Sequence, residues 1–87
     1  MAWGTTAAAR RVGEFVGEAC EVGQWEVGCT DLYVAYRAWC AAREVWACGH
    51  PLFSRGLRVV APEVGVWRPR LEDGSRRRMY TGLRLRV

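Results

Sequence analysis

Near its C-terminus the chain sorts its side chains with a period of two. Met79, Thr81, Leu83, Leu85 and Val87 fall on one side, and Tyr80, Gly82, Arg84 and Arg86 on the other. A helix repeats every 3.6 residues and cannot sort side chains this way, so the stretch reads as a strand. A second stretch, Val66 to Leu71, places Trp67 and Leu71 on one side and Arg68 and Arg70 on the other. Asp73-Gly74 lies between the two, and Asp-Gly between alternating segments is a strong signal for a tight β-turn. The chain is therefore expected to end in a two-stranded antiparallel hairpin.

Upstream the period changes to that of helices. Thr5 or Thr6 can cap a first helix reaching about Cys20, with Ala8, Val12, Phe15, Val16 and Ala19 as its apolar stripe. Val22 to Gly28 reads as a turn with a short strand around Trp25–Val27. Thr30 is suited to cap a second helix, with Asp31 in its first turn. Leu32, Tyr36, Trp39, Cys40 and Arg43 follow at helical spacing, and the aromatics among them read as core. Gly49-His50-Pro51 breaks the chain, and Pro51 suits the first position of a third helix. In that helix Phe53, Leu57 and Val60 share one face while Ser54, Arg55 and Arg58 lie away from it. Pro62 and Gly65 end it.

The expected order is helix, short strand, helix, helix, strand, strand. This is the outline of a winged helix-turn-helix, an α+β fold in which three helices pack on a small antiparallel sheet with a C-terminal hairpin wing. Residues 1–87 are expected to form one such domain, with Phe15, Leu32, Tyr36, Trp39, Phe53, Leu57 and Leu83 in its core. A chain of 87 residues suffices for this, since one of its size buries about 60–65% of its unfolded surface.

Charge is divided unequally along the chain. Up to His50 there are four arginines and six acids; from Pro51 onward there are nine arginines and three acids. Lysine is absent, so all 13 cations are arginine. A basic half on a small domain is the footprint of a protein that meets phosphate backbones. The bland alternative is a solvated basic surface. No apolar run approaches the roughly 18 residues of a membrane span. The N-terminal Met-Ala-Trp-Gly-Thr-Thr has no signal-peptide hydrophobic region, so a cytoplasmic protein is expected.

Metal and catalytic chemistry find little to stand on. Cys48-Gly49-His50 invites a zinc site with Cys20, Cys29 or Cys40, but structural zinc uses tight Cys-x2–4-Cys pairs and none is present. Cys20 and Cys40 fall on apolar faces, where a free cysteine acts as a small core residue. The lone His50 and the scattered acids form no triad or carboxylate pair, and there is no Gly-rich phosphate loop. Neither an enzyme nor a cofactor nor a small-molecule substrate is expected.

Double-stranded DNA is the expected partner. The third helix would enter the major groove, with Ser54, Arg55 and Arg58 towards the bases, because arginine can pair both acceptors on a guanine edge. Arg76, Arg77 and Arg78 on the wing would meet phosphates or a narrow minor groove. Arg68 and Arg70, with Arg84 and Arg86, would extend this basic strip. A protein-interaction winged helix, gripping a partner through the third helix or the Tyr33 and Trp25 surface, is the alternative from a different class.

Several strings of residues are similar to a known family. They are Phe15 and Cys20; Leu32-Tyr33-x-x-Tyr36-Arg37-x-Trp39-Cys40; Phe53-x-Arg55-x-Leu57; and Arg76-Arg77-Arg78-x-Tyr80-x-Gly82-Leu83-x-Leu85. Together they resemble the C-terminal domain of phage and plasmid primase-helicases of the poxvirus-type superfamily-three group, over about residues 12–86. The resemblance implies a winged helix that follows a hexameric motor, engages origin or template DNA and helps load the motor. A helicase or another replication protein is then a further expected partner. Motor and primase have no counterpart in this chain, so no ATPase or polymerase activity is implied. A free-standing chain of this kind could also be a small transcriptional regulator.

Overall fold

The computed structural model describes residues 5–70, 72, 74 and 77–86. Among them the order is α1 (Thr5–Ala19), β1 (Cys20–Gly28), α2 (Cys29–Ala42), α3 (His50–Val60), β2 (Gly65–Trp67) and β3 (Met79–Leu85). The strands form one antiparallel sheet in the order β1-β3-β2, so the C-terminal strand is central. This is the winged helix-turn-helix architecture. No helix among the described residues is long and apolar enough to cross a membrane.

The sheet departs from the expectation in its first strand. The stretch read as mostly turn is instead a nine-residue strand. Its residues Cys20–Val22 pair with Leu83–Leu85, and Glu26–Gly28 with Met79–Thr81. Between these ladders Gly23, Gln24 and Trp25 stand opposite Gly82 alone, which makes a bulge. Gly82 takes φ +96, a conformation open to glycine at no steric cost. The bulge shifts the phase of β3. Tyr80 and Leu83, three residues apart, are both buried, so the strict alternation expected for Met79–Val87 is broken at Gly82. The opposite strand is also shorter than expected. Its continuous ladder ends where Trp67 meets Met79; Arg68 lies beyond it and Arg70 makes only an isolated bridge. Leu71 and the Asp73 of the expected turn lie outside the described residues.

Two helix starts also differ. The N-cap of α2 is Gly28 rather than Thr30, and no side chain caps the helix. The Cys29 amide donates to the Arg78 carbonyl at 3.1 Å, so the strand beside the helix supplies the acceptor a capping side chain would have supplied. Helix α3 begins at His50, one residue before Pro51, which still lies in the first turn where its missing N–H costs nothing.

The core is an aromatic cluster between the helices and the sheet. Phe15, Tyr36 and Phe53 are fully buried, with ring centroids 5.5 Å apart for Phe15–Tyr36 and 4.7 Å for Tyr36–Phe53. Leu32, Leu57 and Leu83 are buried with them, as expected. Trp39 is half-buried, its ring under the Arg43 guanidinium at 4.4 Å. Val60, expected on the packed face of α3, is 38% exposed. Its side chain still lies over Gly13 of α1, and Gly56 sits where α3 crosses α1. A Cβ there would lie 3.3 Å from the Ala9 Cα and 3.2 Å from Val12. The close approach sets how α3 is held.

Helix α2 ends on a non-glycine residue in the left-handed region, Glu44 with φ 55. The Glu44 amide donates to the Ala41 carbonyl and the Val45 amide to the Cys40 carbonyl, the two bonds of a Schellman cap. That conformation costs an ordinary residue about 1–2 kcal/mol, and glycine escapes it. Glu44→Gly is therefore expected to raise stability by about 1 kcal/mol in urea unfolding, with an unchanged m-value.

Candidate nucleic-acid interface

Pro51, Ser54, Arg55 and Arg58 recur on α3 at the spacing that shares one helical face, opposite buried Phe53, Gly56 and Leu57. Arg55 and Arg58 are exposed. Packing of the apolar face on α1 thus turns both guanidinium groups outward. The N-terminal end of this face meets the root of the wing. Arg78, the residue before β3, lines a cavity of about 290 Å³ together with His50, Pro51 and Ser54.

Ser54 is less free than its neighbours. Its hydroxyl lies 2.5 Å from the hydroxyl of Tyr80, a residue that the period of two groups with Arg84 and Arg86. The His50 ring stacks on Tyr33 with centroids 4.6 Å apart and planes 7° from parallel. Its Nε2 is buried and has no hydrogen-bond partner among the described residues. Burial, and then the Arg78 charge, lower the His50 pKa below its ordinary value.

The expected basic strip divides into arginines that are paired and arginines that are not. Arg77 is held to Asp31 in the first turn of α2. Arg84 reaches Glu21 at 3.1 Å and lies 3.9 Å over the Trp25 ring. Arg86 is 4.0 Å from Glu21. The acids of β1 and α2 thus draw these three towards the protein. Arg55, Arg58, Arg68, Arg70 and Arg78 are exposed and form no ion pair among the described residues. Arg78 and Arg68 both pull the Cys29 thiol down against its burial, so both carry their charge towards the start of α2. Arg76 lies outside the described residues. Sequence spacing held no sign of which arginines would be paired, because Asp31 and Glu21 lie 46 and 63 residues away from Arg77 and Arg84.

All four cysteines are buried free thiols, Cys48 lying 3.5 Å from the Tyr36 hydroxyl. No group of three His, Cys, Asp or Glu able to hold a metal occurs among the described residues. Burial pushes the Cys20 thiol up from 9.0 to about 11, against the pull of Arg86, and raises Cys29, Cys40, Tyr36 and Tyr80 as well. In the unfolded chain the Cys20 thiol ionises near pH 9, while in the fold it stays protonated to about pH 11. The native state then holds more protons than the unfolded state, so stability falls as pH rises. Chemical unfolding at pH 8 and pH 10.5 is expected to give a lower midpoint at the higher pH. Cys20→Ser should reduce that pH dependence.

No family model matches the chain, and no curated protein matches it.

Proposed function

We propose that this chain is a non-catalytic DNA-binding winged helix, with α3 directed to the bases of a duplex and the wing root to its backbone. The observation that carries the reading is the disposition of unpaired arginine. Arg55 and Arg58 share the outward face of α3, and Arg78 sits at the N-terminal end of that face. A row of cations with no internal acids is expected at a surface that meets a polyanion. The similarity of the Leu32–Cys40 and Arg76–Leu85 strings to primase-helicase C-terminal domains favours a replication module of a phage or plasmid, acting in the cytoplasm beside a helicase.

A duplex titration at several salt concentrations tests this. The expected affinity falls linearly on a log–log plot, with a slope near −0.9 per phosphate contacted. Arg55→Ala is expected to relax preference at one or two base pairs, by about 1–3 kcal/mol. If that variant leaves preference untouched while changes at the wing alter it, the wing reads the sequence and α3 is scaffold.

Exposed apolar residues favour a second reading, a protein-interaction winged helix. Val59 is 61% exposed, Val34 58% and Trp46 57%. Trp25 and Trp67 support it less, because Arg84 stacks on the first and the Nε1 of the second donates to Glu26 at 2.8 Å. No duplex binding at micromolar protein in about 50 mM salt would favour this alternative.

A further inference from the structure

Beside Arg78, already directed to the duplex backbone, the cavity between α3 and the wing root offers groups that could hold a ligand with it. It is lined by an arginine, an imidazole, a hydroxyl and a proline, and it holds about 290 Å³. We infer that this cavity is a phosphate subsite, taking one backbone phosphate of the bound duplex between Arg78, Ser54 and His50; this assignment rests on the DNA reading.

Three features point to an oxyanion. Arg78 brings positive charge with no acid among the described residues to neutralise it, whereas adjacent Arg77 is spent on Asp31. A guanidinium at the mouth excludes a metal cation and leaves an apolar ligand unmatched, while a tetrahedral phosphate accepts its forked N–H groups. The buried His50 Nε2 lacks a partner, and a buried polar nitrogen left so is costly. A turn of the His50 ring, with Nε2 carrying the proton, would bring this closed-off nitrogen to an oxyanion in the cavity. The Ser54 hydroxyl is backed by the buried Tyr80 hydroxyl at 2.5 Å. Either hydroxyl can be the donor, and where Tyr80 donates to Ser54 Oγ the Ser54 proton is free for a ligand in the cavity. The end of α3 contributes little by itself. Pro51 has no N–H, and the Phe53 amide already donates to the Gly49 carbonyl at 2.9 Å. The selectivity therefore belongs to the side chains.

The test uses the isotope-labelled full chain and inorganic phosphate, titrated against chloride at equal ionic strength. Saturable shifts are expected at the His50 ring and at the Ser54 and Arg78 resonances. Arg78→Gln should weaken phosphate binding at least tenfold. Its fold should hold, because the Arg78 side chain is exposed and its carbonyl still receives the Cys29 amide. Arg37→Gln, on the exposed face of α2, should leave the shifts unchanged. In a second arm, Arg78→Gln should weaken two unrelated duplexes by the same factor and flatten the salt slope by about one unit. Absence of a saturable phosphate shift, or a shift that survives Arg78→Gln, overturns the subsite whatever the duplex does. Phosphate binding with no duplex binding overturns the DNA reading and gives the cavity to a free phosphate compound. Duplex binding whose slope is indifferent to Arg78→Gln overturns the backbone assignment alone.

Discussion

Replacing Phe53 by alanine is expected to cost about 3–5 kcal/mol, the range for truncating a buried aromatic side chain. The Phe53 ring is fully buried and joins every layer of the fold. Its centroid lies 4.7 Å from that of Tyr36 and 5.6 Å from Tyr33 on α2. It lies 6.2 Å from Phe15 on α1 and 6.4 Å from Tyr80 on β3. Removing it leaves a void walled by rings on three sides, where backbone cannot easily collapse. A domain of this length has a net stability on the order of 5–15 kcal/mol, so the loss is a large share of the whole. Urea unfolding followed by tryptophan fluorescence measures it. Phe53→Leu, which keeps most of the volume, should cost markedly less. A cost below about 1 kcal/mol for the alanine variant would mean that α3 is not held by this cluster.

The second large effect is expected in binding. Arg68→Gln, Arg70→Gln and Arg78→Gln combined should weaken every duplex sequence alike and flatten the salt slope by up to about three units. These three arginines are exposed and free of acids among the described residues, so they remain available to phosphates. Arg77→Gln should change the slope far less, because Asp31 competes for that guanidinium. Stability should change little in either variant, as expected for exposed positions. Equal effects of the two variants would show that the Arg77–Asp31 pair gives way to DNA.

What could be read from the sequence is what local period reports. The hairpin, the apolar stripe of α1 and the buried Phe53 and Leu57 of α3 all follow from spacing within one element. What could not be read depends on partners distant in sequence. The strand β1 looked like turn because Gly23 and Gln24 carry little strand propensity; β3 holds it by pairing. Thr30 looked like a cap, but the Arg78 carbonyl reaches the helix start first. The period of two puts Tyr80 in phase with Arg84 and Arg86, and the bulge opposite Gly82 separates it from them and leaves it buried. The same limit applies to the site. Arg55 and Arg58 were legible as an outward pair on a helix. The cavity at Arg78, the buried hydroxyl behind Ser54 and the tether of Arg77 each need two elements brought together.

Mapping a bound duplex on the isotope-labelled chain tests the central claim most directly. The expected result is that amide and arginine side-chain shifts cluster on residues 50–58 of α3 and on Arg68, Arg70 and Arg78. The Val34–Ala41 face of α2 should remain still. Shifts confined to other surfaces, or no shifts at saturating duplex in low salt, would contradict it.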